Sequence, residues 1–537
     1  MDLIGQAKTW RDQDPDATTC AELTQLIETN NLAELASRFD SKLEFGTAGL
    51  RGELGAGPNR MNRVVVARAA LAIARFLQRN RAEYLDADGG LSVVIGYDGR
   101  VNSDVFATDS AQIIAGAGIS AKLFDRGVPT PVAAFTGATT KASATIVVTA
   151  SHNPPRDNGY KVYLGGKLFG SQLIPPQDAE IAQLIDEVSQ ELSFDQIPKG
   201  DQIEMLGDAA VNAYVERAKG LVPATNALRA KVKITHTALH GVGWPVVSQL
   251  FSQLGFELLP VTQQQEADGS FPTVSFPNPE EAGAMDLAYE TAKSAGSDLI
   301  LANDPDADRL AVAIRNGGEY KMLTGDQVGL ILAHEIASAA DGGALGNSIV
   351  SAELTAVADR FGLDYQQTLT GFKWISKVPN LIFGYEEALG YCVDPSHTPD
   401  KDGITAALLI AELAANLAGS GSSLGEHLAQ LEQSYGKISS GQVSVRVSDL
   451  SIIGKIMAAV RKNPPAYFEA EPLQYTDLSQ SKELKTDAVI LQSKSAKLIF
   501  RPSGTEPKLK CYLQFRGDEA DLAKLKAFAQ ELISSYQ

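Results

Sequence analysis

Cysteine is scarce in this sequence, and the few cysteines present form no pattern. The 537 residues contain three, Cys20, Cys392 and Cys511, which are widely separated and include no CxxC pair. A disulfide-stabilised secreted domain needs an even set of cysteines at closer spacing, so the sequence argues against that class. We therefore expect a reducing compartment.

Basic residues and long apolar runs are also scarce. Lys and Arg number 47 against 65 Asp and Glu, which gives a formal net charge of -18. That sign is wrong for a protein held to nucleic acid or to an anionic membrane by its overall field. Charged residues interrupt the apolar stretches 64–77 and 403–418, and residues 1–16 lack the apolar core of a secretory signal. We expect a cytoplasmic protein with no nucleic-acid or membrane partner.

Short apolar runs alternate with helix-length segments over most of the chain. This βαβ rhythm begins near residue 91 and restarts near residues 231 and 325, which predicts three α/β layers with largely parallel or mixed sheets. In the third layer we expect a strand at SIVSAEL, residues 348–354. Beyond about residue 441 the pattern changes to that of a smaller α+β domain. The four predicted domains span residues 1–205, 206–320, 321–440 and 441–537.

Three aspartates, Asp304, Asp306 and Asp308, occupy alternate positions between the apolar runs SDLILA and RLAVAI. Strand-like alternation predicts that their carboxylates point the same way. Carboxylates about 4 Å apart repel by roughly 4 kcal/mol per pair at an effective dielectric near 20, so the triplet favours a bound cation. Oxygen ligands select Mg²⁺ first, and an EF-hand is excluded because arginines occupy its sixth and twelfth positions. An acidic, solvated turn is the alternative.

The segment TASHNPPRDNGYKVY follows the apolar run SATIVV. This order places Ser151 at the C-terminal edge of a predicted strand, where α/β sheets bind ligands. The Asn-Pro-Pro turn after it predicts an exposed hydroxyl, so Ser151 is a candidate nucleophile, with His152 and Lys161 as candidates for proton transfer. A capped turn without chemistry is the alternative. A GxSxG sequence at 421–425 lacks the preceding strand of a hydrolase nucleophile elbow and is set aside.

Three further loops suit a phosphorylated sugar. Near the C-terminus, RPSGTEPKLK combines a guanidinium group, two hydroxyls and a glycine after an apolar run, as a phosphate cradle does. Its candidate phosphate-binding residues are Arg501, Ser503, Gly504 and Thr505. Adjacent carboxylates at Glu386 and Glu387 suit vicinal sugar hydroxyls, and Arg51 in a glycine-rich loop suits phosphate. A basic hairpin turn, a solvated loop and an ordinary glycine turn are the respective alternatives.

Taken in order, the loops GTAGLRG, TASHNP, DPDADR, GYEEALGY with KDG, and RPSGTEP resemble the signature loops of the α-D-phosphohexomutase superfamily. The resemblance extends from about Lys42 to the end of the chain. It implies four domains in a heart shape around a central cleft, three of them similar α/β units. The sugar loop departs from many bacterial members because it ends in Tyr391 where they have His. It is closer to the branch with glucose-1,6-bisphosphate synthases and phosphopentomutases.

The resemblance also implies a role for each loop. Ser151 would be the phosphoserine and, with Asp304, Asp306 and Asp308, would complete the Mg²⁺ site. The remaining catalytic or phosphate-facing residues would be Arg51, His152, Lys161, Arg309 and Lys401. The substrate-binding residues would be Glu386, Glu387, Arg501, Ser503, Gly504 and Thr505.

The implied activity is a phosphosugar mutase that interconverts hexose 1-phosphate and hexose 6-phosphate, glucose first, with glucose 1,6-bisphosphate as activator. Phosphomannomutase or phosphopentomutase activity, or glucose-1,6-bisphosphate synthesis, are the alternatives within the superfamily. A non-catalytic sugar-phosphate binding protein and a Mg²⁺-dependent sugar phosphatase are the alternatives outside it. We expect phosphorylated hexoses as partners and a monomer or weak dimer.

Overall fold

The computed structural model describes residues 2–46, 49–447, 449, 451–502 and 508–536. The chain divides into two compact units. The first unit comprises Met1–Leu323 and Leu389–Ser422, and the second comprises Thr324–Ala388 and Ser423–Gln537.

The first unit begins with three short helices. They are α1 (Leu3–Arg11), α2 (Ala17–Glu28) and α3 (Leu32–Phe39). Each helix starts at a residue whose side-chain oxygen accepts a backbone N–H of the first turn, namely Asp2, Asp16 and Asn31. These caps satisfy donors that the helix leaves unpaired, which is why the helices begin where they do.

A seven-stranded mixed sheet follows, in the order β1-β5-β4-β2-β3-β7 with β6 beside β5. Its strands are β1 (Leu50–Glu53), β2 (Ser92–Tyr97), β3 (Ser120–Phe124), β4 (Ala144–Val148), β5 (Asp157–Leu164), β6 (Ser171–Gln172) and β7 (Ile203–Leu206). The helices of this layer are α4 (Arg63–Arg79), α5 (Ser103–Gly116), α6 (Thr130–Thr139) and α7 (Gln177–Glu191). Strand β2 runs parallel to β3 and β4, so the turns after β2 and β4 meet at one edge of the sheet.

The second layer of the first unit is also a mixed sheet, in the order β12-β11-β10-β8-β9. Its strands are β8 (Ile234–Thr237), β9 (Leu258–Pro260), β10 (Leu299–Asn303), β11 (Leu310–Asn316) and β12 (Glu319–Met322). Its helices are α8 (Asp208–Lys219), α9 (Trp244–Gln253) and α10 (Asp286–Ala295). Strands β10 and β11 are antiparallel neighbours, and the short connection between them carries the acidic triplet.

The second unit opens with a parallel arrangement in which β13 lies between β14 and β15. In chain order the elements are α11 (Gly325–Ser338), β13 (Ala344–Ser348), α12 (Thr355–Phe361), β14 (Asp364–Thr368), α13 (Phe372–Ile375) and β15 (Leu381–Glu386). The chain then returns to the first unit for β16 (Gly390–Cys392) and α14 (Gly403–Gly419) before α15 (Leu424–Tyr435) in the second.

The strand predicted at residues 348–354 is wrong in its position. Strand β13 covers Ala344–Ser348, and the following residues turn, with Ser351 N–H donating to the Ser348 carbonyl at 2.9 Å. Side chains of Val378 and Leu381 approach Gly346 so closely that an added Cβ would lie 2.9–3.1 Å from them. Strand β13 consists mainly of small residues and contains no β-branched side chain, so its sequence did not indicate a strand.

The last segment is an α+β layer. Its strands are β17 (Ile438–Arg446), β18 (Tyr467–Phe468), β19 (Glu471–Pro472), β20 (Gln474–Asp477), β21 (Val489–Gln492), β22 (Ala496–Pro502) and β23 (Lys508–Arg516), and its helices are α16 (Ser451–Lys462) and α17 (Glu519–Tyr536). Five strands form an antiparallel sheet in the order β17-β23-β22-β21-β20. Residues of α16 and α17 share one apolar core with β21, β22 and β23.

Three α/β layers with parallel or mixed sheets and a smaller α+β layer confirm the predicted fold class. Among the described residues, no single helix is long and apolar enough to cross a membrane. The consecutive helices α14 and α15 meet that length and composition test only when taken together.

Candidate active site

Ser151 lies in the turn that follows β4. Its backbone φ is 51°, in the left-handed region that costs a non-glycine residue about 1–2 kcal/mol. The Ser151 N–H donates to Thr149 Oγ1 at 2.8 Å, which helps to hold this conformation. Ser151 is only 2% exposed, so the prediction of a hydroxyl exposed by the following prolines is wrong. The physical reason is that the hydroxyl turns inward, toward the acidic triplet.

The Ser151 hydroxyl contacts two of the groups that the sequence singled out. Ser151 Oγ donates to Asp304 Oδ2 at 2.7 Å. His152 Nδ1 lies 3.2 Å from Ser151 Oγ. One atom therefore contacts a carboxylate and an imidazole while it is shielded from bulk water. This arrangement suits a hydroxyl that exchanges a group with a bound ligand.

The three aspartates converge, but not by strand alternation. They lie in the turn between β10 and β11, where Ala307 has a φ of 55°. Asp304, Asp306 and Asp308 are each no more than 1% exposed, and one oxygen from each lies within 4.8 Å of the others. The common direction of the carboxylates was thus predicted correctly and for the wrong reason, since the turn produces it.

Three cations compensate the triplet. Lys161 on β5 donates from Nζ to Asp306 Oδ2 at 2.6 Å and to Asp308 Oδ2 at 2.7 Å. Lys401, just before the Asp402 cap of α14, places Nζ 3.1 Å from Asp308 Oδ2. Arg309 Nε lies 3.9 Å from both Asp304 Oδ2 and Asp308 Oδ1. Asp308 therefore contacts all three cations, and Asp304 contacts one.

The pKa values follow these contacts. Burial, then the charges of Asp306 and Asp308, raises the pKa of Asp304 well above its ordinary value. Burial opposes ionisation of Asp308 as well, but Lys161 and Lys401 outweigh it and lower the pKa of that carboxyl. Burial lowers the pKa of Lys161, but the carboxylates of Asp306 and Asp308 outweigh it and raise that pKa. The lysine is therefore an ammonium ion in this arrangement.

The triplet fits a divalent metal ion. The Oδ1 atoms of Asp306 and Asp308 are buried without a hydrogen-bond partner, and a buried carboxylate oxygen is costly to leave unpaired. Oxygen ligands of this kind are those that Mg²⁺ prefers. The residues present can thus hold the metal ion that the sequence predicted.

Arg51 and His152 lie near the same turn. Arg51 on β1 donates from Nη1 to Asn153 Oδ1 at 3.2 Å. Burial and the nearby Arg309 guanidinium lower the pKa of Arg51. Burial, followed by Arg309 and Arg51, lowers the pKa of His152 well below its ordinary value. Repulsion among these groups indicates a site that favours an anion. All six predicted catalytic residues lie in the first unit.

Glu386 and Glu387 lie in the second unit, at and just after the end of β15. Glu386 Oε1 accepts the Gly371 N–H at 2.7 Å, and Glu387 Oε2 accepts the Ser351 hydroxyl at 2.9 Å. Burial and the charges of Glu386 and Asp326 raise the pKa of Glu387 to about 8. An adjacent pair of half-buried carboxyl groups can accept hydrogen bonds from hydroxyl groups, and Glu387, with its raised pKa, can also donate one when protonated.

Arg501 also lies in the second unit, near the end of β22. Its side chain forms a hydrogen bond with the buried phenol of Tyr512. Burial raises the pKa of that phenol, and the hydrogen bond with Arg501 partly opposes the increase. Ser503, Gly504 and Thr505, the other predicted phosphate-binding residues, lie outside the described residues.

Sequence reasoning missed three buried residues that shape the site. Thr130 donates from Oγ1 to Asp306 Oδ2 at 2.6 Å. Asp400 accepts from Tyr163 and Gln172, both at 2.7 Å, and so orients the loop that carries Lys401. Arg100 donates to backbone carbonyls around Ser151. Only Arg100 left a signal, because it follows an apolar run at the same sheet edge as Ser151.

Comparison with known proteins matches four segments of the chain, between residue 42 and residue 532, to one family. The match is to the phosphoglucomutase/phosphomannomutase alpha/beta/alpha domains I, II and III and the C-terminal domain. The matched residues are 42–192, 212–318, 324–435 and 443–532.

Relatives with different names align over most of the chain. A Haemophilus influenzae protein named "Probable phosphomannomutase" is 44% identical over 86% of this chain and 94% of its own. The human phosphopentomutase is 33% identical over 100% of this chain and 95% of its own. A Staphylococcus aureus phosphoglucomutase is 31% identical, covering 90% of this chain and 91% of its own.

A solved structure supports the fold. The crystal structure of a phosphoglucomutase/phosphomannomutase family protein from Burkholderia thailandensis aligns with a TM-score of 0.69. It is 21% identical and covers 92% of this chain and 97% of its own.

Proposed function

Because the chain belongs to the phosphoglucomutase/phosphomannomutase family and is a phosphosugar mutase, we propose that it interconverts hexose 1-phosphate and hexose 6-phosphate, glucose first. The reaction passes through phosphorylated Ser151 and a bisphosphorylated sugar. Names of relatives support mannose and pentose phosphates equally well, so these are the alternative substrates.

The observation that carries the proposal is the position of the Ser151 hydroxyl. It is buried, held on a left-handed backbone, and lies 2.7 Å from Asp304. A serine that only caps a turn does not require three clustered carboxylates beside its hydroxyl. A serine that carries a phosphoryl group next to a cation site gains charge compensation there.

In the forward half-reaction, a hydroxyl of the sugar phosphate attacks the phosphorus on Ser151. The bond from phosphorus to Oγ breaks as the bond to the sugar oxygen forms. The proton of the sugar hydroxyl passes to a base, and the leaving Ser151 Oγ takes up a proton to become a hydroxyl. His152, whose pKa is lowered and whose Nδ1 lies 3.2 Å from Ser151 Oγ, is the candidate base. Lys161, as an ammonium ion beside Asp306, is the candidate proton donor. The resulting bisphosphate then reorients and returns its other phosphoryl group to Ser151.

Asp304, Asp306 and Asp308 would hold the divalent metal ion, with Ser151 beside it. When bound, such an ion supplies neutralisation of the charge on the transferring group. Lys161, Lys401 and Arg309 bring further positive charge to this position, and Arg51 adds another guanidinium group for phosphate oxygens.

For the remaining predicted residues we propose the roles that the family resemblance of their loops implies. Glu386 and Glu387 would bind sugar hydroxyls, and Arg501 with Ser503, Gly504 and Thr505 would bind the phosphate that is not being transferred. Glucose 1,6-bisphosphate would act as the activator that restores phosphorylated Ser151.

Initial rates test the proposal. Glucose 1-phosphate, mannose 1-phosphate and ribose 1-phosphate are compared as kcat/KM, with Mg²⁺ and the matching bisphosphate. We expect isomerised product from each active sugar and the highest kcat/KM for glucose 1-phosphate. Release of inorganic phosphate in place of isomerised product would instead indicate a phosphatase. A higher kcat/KM for mannose or ribose phosphate would replace glucose as the substrate.

A further inference from the structure

The buried guanidinium group of Arg100 forms hydrogen bonds along the turn that carries Ser151. Arg100 lies between β2 and α5, and its side chain is 1% exposed. Its Nη2 donates to the carbonyl oxygens of Ser151 and Asn153 at 2.7 and 2.6 Å. Its Nη1 donates to the carbonyl oxygens of Pro154 and Asp157 at 2.8 and 3.0 Å. Three carbonyls of the turn and one at the start of β5 thus converge on one side chain.

The guanidinium group is itself fixed from its other sides. Asp98 Oδ2 lies 3.4 Å from Arg100 Nε, and Asp98 Oδ1 accepts the Arg100 backbone N–H at 3.0 Å. The Phe271 ring covers the guanidinium group at 4.9 Å. The ring also separates it from solvent, since Phe271 is 2% exposed. Arg100 is therefore a rigid support rather than a mobile surface charge.

The contact with the Ser151 carbonyl fixes the peptide that follows a strained residue. Ser151 has a φ of 51°, and strained conformations of this kind persist only where surrounding contacts hold them. We infer that Arg100 is a positioning residue for phosphoryl transfer: it holds the turn so that Ser151 Oγ stays beside Asp304. This inference rests on the proposed function, in which Ser151 carries the phosphoryl group.

Lysine does not replace arginine here. Four acceptors spread around a planar group match the rigid fork of donors in a guanidinium ion. A lysine ammonium has three donors on one atom and leaves part of the turn unsupported. Arg100→Lys keeps the charge and removes the fork, so it separates geometry from electrostatics.

Arg229 provides a matched control in the same unit. Its side chain is 1% exposed, and it donates to the carbonyl oxygens of Leu254 and Pro223. Its Nε donates to Glu412 Oε2 at 2.7 Å, and Phe256 covers the guanidinium group at 5.4 Å. Arg229→Lys thus removes a guanidinium group that is as buried as that of Arg100. The hydrogen bonds that this substitution removes lie outside the Ser151 turn.

Two measurements on the full chain test the inference. Hydrogen–deuterium exchange reports the residues 151–158 directly, and steady-state kinetics separates kcat from KM. We expect Arg100→Lys to speed exchange in that segment and to lower kcat by about 100-fold with little change in KM, the cost of a displacement of about 1 Å at the reacting group. Arg229→Lys should leave both quantities as in the unmodified protein.

Wild-type kcat in folded Arg100→Lys, or unchanged exchange at 151–158, would overturn the inference. Equal losses in Arg229→Lys would overturn it too, because the effect would then be general destabilisation. If Arg100→Lys does not fold, Phe271→Leu removes only the covering ring, and we expect a smaller change in the same direction. If the unmodified protein shows no mutase activity, the proposed function fails. Exchange at residues 151–158 in Arg100→Lys then still tests whether Arg100 holds the Ser151 turn.

Discussion

Replacing Asp308 and Asp304 separately by asparagine should give opposite effects on stability in metal-free buffer. Asp308 lies 2.7 Å from Lys161, 3.1 Å from Lys401 and 3.9 Å from Arg309. At an effective dielectric near 20, these separations correspond to attractions of about 6, 5 and 4 kcal/mol. Each neighbouring carboxylate, at the 4.8 Å limit of the cluster, repels by about 3.5 kcal/mol. Attraction exceeds repulsion, so Asp308→Asn should destabilise by about 3–5 kcal/mol.

Asp304 has the reverse balance. It contacts one cation, Arg309, at 3.9 Å and two carboxylates, so repulsion exceeds attraction by about 3 kcal/mol. Both of its hydrogen bonds survive the substitution. An amide oxygen accepts from the Arg309 N–H, and the amide NH₂ donates to the Ser151 oxygen. Asp304→Asn should therefore be neutral or slightly stabilising when the metal ion is removed.

Thermal unfolding with a chelator, followed by titration with Mg²⁺, measures both effects. For the first unit, which comprises Met1–Leu323 and Leu389–Ser422, a loss of about 3–5 kcal/mol corresponds to a drop in Tm of about 4–7 °C. We expect this drop for Asp308→Asn alone. Mg²⁺ should raise the Tm of the unmodified protein and have less effect on either variant. Equal drops in Tm for the two variants in chelator would refute this difference in charge balance between Asp308 and Asp304.

Three other predictions concern separate loops. The folded protein raises the pKa of Glu387 to about 8, so the folded state binds the extra proton and stability should fall as pH rises from about 4.5 to 8, by at most about 1.4 kcal/mol per pH unit. Glu387→Gln should flatten that decline in Tm, and an unchanged slope would contradict the assignment. Arg501→Ala should raise KM and cost about 1.5–3 kcal/mol in kcat/KM. Rates with and without added bisphosphate should also show a greater activator requirement, whereas unchanged kinetics would remove Arg501 from the substrate site. Gly49→Ala places a Cβ 1.7 Å from the Tyr160 carbonyl oxygen, whereas Gly89→Ala at a similar φ meets nothing within 4 Å. The first should lower Tm and activity and the second cost only about 1 kcal/mol; equal Tm losses would contradict this.

The layer order was predictable because apolar runs and helix-length segments alternate with clear spacing. The limits of β10 and β11 fall where the runs SDLILA and RLAVAI indicate. Strand β13 was misplaced because its residues are small, and the packing around Gly346 that requires them is long-range. Local sequence does not contain that information.

The site was predictable where residue type alone limits the chemistry. A triplet of aspartates needs cations wherever it is buried, and the structure places Lys161, Lys401 and Arg309 there. The inward direction of Ser151 depends on a positive φ and on Arg100, neither of which a serine before two prolines reveals. Support residues are therefore the part of a site that sequence patterns show least.

The intact mass of the protein tests the central claim most directly. The full chain is measured before and after incubation with glucose 1,6-bisphosphate and Mg²⁺, with Ser151→Ala as control. The account predicts a species heavier by about 80 Da, one phosphoryl group, that maps to Ser151 and is lost on addition of hexose phosphate. The control should gain no mass and should lose mutase turnover by several orders of magnitude. Turnover at the unmodified rate in Ser151→Ala, or phosphorylation at another residue, would contradict the account.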